Sequence, residues 1–210
     1  SDLEAAVQWS KLVDTTGDAR ERCLALCMLA ELQVELAPAH DKDAQAIATL
    51  TRAVQENPAS LLARLLLAQR QLRTGQAEAY ATTLQTTAGA TDNLSTRALL
   101  FLEAGRAHEL GEHFAQAEAC YEAARIADEA AIGPLLGLVR IHNATHDRRA
   151  AADTLAELAA ISGDSTFAAE WARQRGMMLL DSLGEAAQAT SVLRTQTSAM
   201  GLRALARAAQ

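Results

Sequence analysis

The sequence has few of the residues that nucleic-acid and membrane binders require. Only two of its 210 residues are lysine, Lys11 and Lys42, and acidic side chains outnumber basic ones by 26 to 19. A nucleic-acid binder needs a basic patch to neutralise phosphates, and anionic membranes attract the same kind of patch. We therefore expect neither nucleic acid nor a membrane surface as a partner.

Cysteine is also scarce, with Cys23, Cys27 and Cys120 as the three examples. An odd number argues against a disulfide framework, so we expect free, buried thiols. Free thiols favour a reducing compartment, which predicts a cytoplasmic protein, with the periplasm as the open alternative. The longest apolar run, from Cys23 to Ala30, is too short to cross a bilayer, so no membrane insertion is expected.

Aromatic residues make up only 3% of the chain, whereas half of its residues are apolar. Alanine and leucine supply most of that apolar content. Alanine has the highest helix propensity and lets helices approach closely, whereas strands favour the β-branched and aromatic residues that are scarce here. The composition therefore predicts an all-α protein.

A helix–turn–helix pattern of about 34 residues lies between Ala98 and Ala131. Its first half has a bulky residue followed by two small ones: Phe101, Ala104 and Gly105. Its second half has an aromatic residue between alanines: Ala117, Tyr121 and Ala124. In these positions the sequence resembles the tetratricopeptide repeat family, although His108 stands where the family has tyrosine and Glu129 replaces its closing proline.

This resemblance implies a right-handed α-solenoid of stacked antiparallel helix pairs, because one pair cannot bury its own apolar face. Weaker copies of the pattern predict eleven helices in one array, with a half unit at 1–17 and full units at 18–60, 61–94, 98–131, 132–165 and 170–203. Asp18, Ser60 and Ser165 are the expected helix N-caps. The chain starts without methionine and inside a repeat, from which we expect a fragment of a longer protein.

The resemblance also implies a binding groove, because first helices of successive units line a concave surface in this family. At the corresponding positions, we expect groove side chains from four first helices: Leu65, Gln69, Leu72, Leu102, Arg106, Arg140, Asn143, Trp171 and Arg175. Gln174 and Met178 take further positions of this kind in the last unit.

Arg106 and Arg140 are one repeat apart and would stack along that groove. Two guanidinium groups there would bind a carboxylate or phosphoserine. The alternative is that each arginine pairs with an acid such as Glu103 or Glu109. The groove lysines of chaperone-docking relatives are absent, which disfavours that role.

No motif for a nucleotide, a catalytic triad or a cofactor is present. His142 and His146 are one helical turn apart and His108 lies one repeat earlier, but no further ligand completes a zinc site. The acidic pair Asp41 and Asp43 is expected in a solvated turn. We therefore expect no catalytic residue, no metal site and no cofactor.

The leading interpretation is a non-catalytic scaffold that binds a peptide or helix of another protein in its groove. Two alternatives stay open. One is a structural spacer or oligomerisation module, which would include self-association. The other is a regulatory sensor that binds a small ligand or peptide.

Overall fold

The computed structural model describes residues 2–36, 42–163 and 165–194, and this part of the chain is helical without strands. The ten helices are α1 Asp2–Thr15, α2 Ala19–Leu36, α3 Lys42–Glu56, α4 Leu61–Arg73, α5 Ala77–Gly89, α6 Leu94–Leu110, α7 Phe114–Ala127, α8 Ile132–Ala144, α9 Arg148–Ile161 and α10 Thr166–Asp181. Residues 186–194 are also helical. The predicted all-α class and eleven helices are therefore confirmed, whereas the predicted turn at Pro38 and the chain beyond 194 lie outside the described residues.

The chain divides into two compact units between His113 and Phe114. The first unit contains α1 to α6, and the second begins with α7. Within each unit a helix packs chiefly on the helices before and after it in sequence. Consecutive helices that pack across short connections are antiparallel, so each unit is built from helix hairpins. The single array and its unit boundaries stay a prediction from the sequence.

Alanine allows the helices of the first unit to pack closely. Ala25, Ala30, Ala46 and Ala53 have no exposed surface, and Leu50 fills the space between them. A methyl side chain keeps the distance between helix axes short, near the lower end of the usual ~8–10 Å. Larger side chains dominate the core of the second unit, where the fully buried residues include Tyr121, Leu135, Leu138, Ile141, Leu155 and Leu158.

The expected helix caps are confirmed. Ser60 Oγ accepts a hydrogen bond from the Ala63 amide at 3.3 Å, and Ser165 Oγ accepts one from the Ala168 amide at 3.1 Å. Asp18 Oδ1 accepts from the Arg20 amide at 2.8 Å. Each such cap stabilises a helix by about 1 kcal/mol because it satisfies an otherwise orphaned N–H group.

No helix among the described residues is long and apolar enough to cross a membrane. The three cysteines are free and buried, as expected. Burial raises the pKa of the Cys27 thiol to about 12, and its contacts with Cys23 add to that shift. Because the thiolate is the reactive form, the Cys27 thiol is less reactive in the folded protein than an exposed thiol.

Candidate functional site

The expected groove residues of the first unit lie on α4 and α6. Leu65 and Leu72 of α4 are 42% and 56% exposed, and Gln69 between them is exposed as well. Leu102 of α6 is half-buried. Leu62 extends the exposed row toward the start of α4 and is 50% exposed, and we call Leu62, Leu65 and Leu72 the α4 leucine stripe.

Arg106 and Arg140 belong to different units, and each binds a partner within its own unit. Arg106 Nη1 forms an ion pair with Glu103 Oε1 at 2.5 Å, which is the alternative that the sequence left open. Arg140 Nη2 donates to the hydroxyl oxygen of Tyr121 at 3.3 Å. Their proposed role as a joint anion site stays a prediction from the repeat spacing.

The second unit has an open cleft of about 430 Å³ between α8 and α10. Its floor and sides combine apolar and polar side chains from α8, α9, α10 and the residue after α10: Val139, Asn143, Leu155, Arg173, Gln174, Met177, Met178, Asp181 and Ser182. We call this set the α8–α10 cleft.

The two long walls of the α8–α10 cleft are parallel helices. Helix α9 packs against both α8 and α10, and short turns connect it to each of them. Helix α9 is therefore antiparallel to both, so α8 and α10 have the same direction. Asn143 lies in the last turn of α8, and Asp181 is the last residue of α10. The carboxyl ends of both helices therefore lie at the same end of the cleft.

The two amide side chains of the cleft each keep one hydrogen-bonding group unused. Asn143 Oδ1 accepts from Arg148 Nη1 at 2.6 Å, and Gln174 Nε2 donates to Glu170 Oε1 at 3.0 Å. Within the described part of the chain, the NH₂ group of Asn143 and the carbonyl oxygen of Gln174 have no partner. The cleft thus offers a donor from α8 and an acceptor from α10.

The charges of the cleft are unevenly compensated. Arg173 binds Glu170 through two hydrogen bonds, from Nε at 2.9 Å and from Nη2 at 2.7 Å. The hydrogen bonds from Arg173 and Gln174 lower the pKa of Glu170 to about 2. This carboxylate is therefore charged, and its oxygens are already bound by Arg173 and Gln174. Asp181 is exposed and has no hydrogen-bond or ion-pair partner among the residues described.

Of the predicted groove residues, Asn143 lies in the cleft, together with Gln174 and Met178. Arg140, Trp171 and Arg175 do not line it: Trp171 stacks on Phe167 with ring centroids 6.0 Å apart, and Arg175 is half-buried. Arg173, Met177 and Asp181 also line the cleft and were not among the expected groove residues.

Helix α10 begins at Thr166, directly after the expected N-cap Ser165 and four residues before the predicted unit boundary at 170. Thr166 follows Ile132, the first residue of α8, by 34 residues, which is one repeat period. The capping hydroxyl of Ser165 fixes this start locally.

The other residues considered for chemistry have structural roles. The His142 ring lies between Thr154 Oγ1 at 3.3 Å and Glu118 Oε1 at 3.4 Å, and His146 is exposed in the following turn. Asp43 lies in the first turn of α3 rather than in a loop, 3.7 Å from Arg70 Nη1, and Asp41 lies outside the described residues. Among the residues that the structure covers, no cluster of three or more His, Cys, Asp or Glu could hold a metal ion.

Similar solved structures include several of MamA, a tetratricopeptide-like helical-repeat protein. One matches 79% of this chain and 92% of its own at 13% identity and a TM-score of 0.51. A second matches 85% and 94% at 12% identity and a TM-score of 0.54. Such low identity establishes the helical-repeat fold alone. No family model and no curated protein sequence matches the chain.

Proposed function

We propose that this chain is a non-catalytic interaction module that binds an extended segment of another protein in the α8–α10 cleft. The observation that carries this proposal is the unused donor of Asn143 and the unused acceptor of Gln174 on parallel walls of one cleft. An extended backbone presents a carbonyl oxygen and an N–H group in alternation, so it supplies a partner for each.

The size and chemistry of the cleft support a peptide ligand. Its volume of about 430 Å³ lies within the ~300–1,000 Å³ typical of ligand sites. Val139 and Met178, which are half-buried, and the more exposed Met177 provide apolar surface for one or two side chains of the bound segment. Backbone recognition with a small apolar floor is typical of interaction modules, and it needs no catalytic group.

Two nearly isosteric substitutions test the role of the amides. Asn143→Asp keeps the acceptor for Arg148 but removes the donor, and Gln174→Met removes the acceptor. Peptides selected from a random display library on the wild-type protein should bind each variant about tenfold more weakly, since one hydrogen bond contributes about 1 kcal/mol or slightly more. Isothermal titration calorimetry with uncharged selected peptides measures the change.

Gln69→Met on α4 of the first unit is the matched control, because it removes the same amide outside the cleft. It should leave the affinity unchanged. Selected peptides that bind all three variants as well as the wild type would place the binding surface elsewhere and refute the proposal.

The α4 leucine stripe supports a second candidate function, self-association through the first unit. Three exposed leucines on one helix face form an apolar patch that association would remove from water. Leu72→Glu should convert an oligomer to monomer in sedimentation velocity experiments. Leu110→Glu, at a leucine that is 86% exposed outside the stripe, should not. A monomeric wild-type protein would exclude this function.

A further inference from the structure

We infer that the α8–α10 cleft selects a partner segment that carries a lysine or arginine beside a large apolar residue, with the cation at Asp181 and the apolar side chain on Met177 and Met178. This inference rests on the proposed function and specifies its ligand. It follows from the charges, the helix ends and the apolar surface of the cleft.

Asp181 is the carboxylate of the cleft that lacks a cation within the described residues. Arg173 is the one cationic side chain in the lining, and its two hydrogen bonds to Glu170 neutralise it. Arg148 lies outside the lining, donates to Asn143, and follows Asp147, the N-cap of α9, directly in sequence. A ligand cation would therefore find an available carboxylate at Asp181, whereas the guanidinium of the lining, Arg173, is already paired with Glu170.

The helix ends add to this preference. Helices α8 and α10 both end at the Asp181 end of the cleft, at Ala144 and Asp181. The carboxyl end of a helix carries about half a negative charge from its unsatisfied carbonyl groups. Turn residues donate to some of these carbonyl groups, among them Ile141, Asn143 and Met178, but two helix ends beside one carboxylate still favour a cation over a phosphate or an acidic side chain.

The apolar neighbour of that cation would lie on methionine. Met177 is 42% exposed and Met178 is half-buried, and both line the cleft near Asp181. Methionine side chains are flexible and polarisable, so they adapt to leucine, isoleucine or an aromatic ring without strain. The aliphatic stem of a lysine or arginine would extend along the same surface while its charged end reaches Asp181.

Nuclear magnetic resonance titrations of the ¹⁵N-labelled full chain can test this selectivity. The probes are three blocked peptides, Ala-Gly-Ala-Leu-Xaa-Leu-Ala-Gly-Ala, with Lys, Gln or Glu at Xaa. The lysine peptide should bind about five- to tenfold more tightly than the glutamine peptide, and the glutamate peptide should be the weakest. Shifts should include the amide signals of 177–182.

Asp181→Asn should reduce the preference for lysine to within about twofold. The matched control Asp153→Asn removes an exposed carboxylate of α9 outside the cleft and should leave the preference intact. If the three peptides shift the cleft signals with equal affinity, or if Asp181→Asn leaves the lysine preference unchanged, the selectivity is wrong while the proposed function stands. If none of the peptides shifts the cleft signals, both proposals fail.

Discussion

The ring of Tyr121 in α7 lies directly over Gly137 in α8. A Cβ atom at residue 137 would lie 2.5 Å from both Cε2 and Cζ of that ring. Tyr121 has no exposed surface, and its hydroxyl oxygen accepts a hydrogen bond from Arg140 one turn after Gly137. The aromatic residue of the sequence pattern therefore joins α7 to α8 through a position that only glycine fits.

Gly137→Ala should destabilise the protein. Overpacking a core costs about 1–3 kcal/mol, more than the ~1 kcal/mol that alanine gains over glycine within a helix. Urea unfolding followed by circular dichroism measures the loss. Gly89→Ala in α5 is the control: nothing lies within 4 Å of the added methyl group, so the variant should be as stable as the wild type or slightly more stable. Equal stability of Gly137→Ala and wild type would contradict the close contact.

The turns after alternate helices give a second prediction. A residue with positive φ follows α4, α6, α8 and α10, at Gly75, Glu112, His146 and Gly184. The backbone conformation is thus repeated even where the sequence lacks glycine, and a side chain with a Cβ costs about 1 kcal/mol there. Glu112→Gly should therefore stabilise the first unit by up to about 1 kcal/mol, and Gly75→Ala should destabilise it by a similar amount. Thermal unfolding of both variants tests this pair of opposite effects.

The helices could be predicted from the sequence, whereas the conformation of individual turn residues could not. The repeat spacing predicted the all-α fold and the number of helices, because helix-forming residues and caps recur with the period. It predicted a turn at Gly111, but the left-handed residue is Glu112, since Gly111 has a φ of −85° and caps α6. Such an exchange of conformations depends on how the neighbouring helices pack, which local composition does not encode.

The candidate site was predicted only in part for a related reason. Asn143 was identified because α8 follows the repeat register closely. Met177 and Asp181 were not among the expected groove residues, because which side chains line the cleft depends on how α8, α9 and α10 pack. Whether Arg173 pairs with Glu170 depends on the rotamers of both side chains. The spacing of residues in the sequence therefore does not show whether the charge of Arg173 is neutralised or free to bind a ligand.

Arg70 provides a third prediction, because it is a buried charge that the sequence pattern did not reveal. Its side chain is 5% exposed, and Nη2 lies 2.9 Å from both carboxylate oxygens of Glu31, whose own side chain is 43% exposed. Glu31→Gln should cost roughly 2–3 kcal/mol because it leaves the guanidinium buried with only Asp43 nearby. Arg70→Met should cost less, since water can solvate the half-exposed Glu31 that remains.

Urea unfolding of both variants measures this asymmetry. Arg106→Met is the control, because its pair with Glu103 is about half exposed on both sides and should contribute less than ~1 kcal/mol. If Arg70→Met were the more destabilising of the two, the buried charge of Arg70 would not be the main cause of the lost stability.

The last prediction concerns pH. His108 in α6 is 5% exposed, and neither ring nitrogen has a hydrogen-bond partner among the described residues. Burial lowers the pKa of His108 below its ordinary value of 6.5, the nearby His113 lowers it further, and Glu78 of α5 opposes both. The unfolded chain therefore binds this proton more readily than the folded one. Stability should be complete above about pH 6.5 and should fall as the pH drops from there through the lowered folded pKa.

The difference between the urea unfolding midpoints at pH 7.5 and pH 5.5 measures this loss of stability. His108→Phe should make the difference smaller, because the phenyl ring fills the same cavity without titrating. His146→Asn changes an exposed histidine and should leave the loss as it is in the wild type. Since Glu78→Gln would remove the group that favours the protonated ring, that variant should enlarge the loss at pH 5.5. A difference between the two midpoints that is the same in His108→Phe and wild type would show that other groups produce the pH dependence.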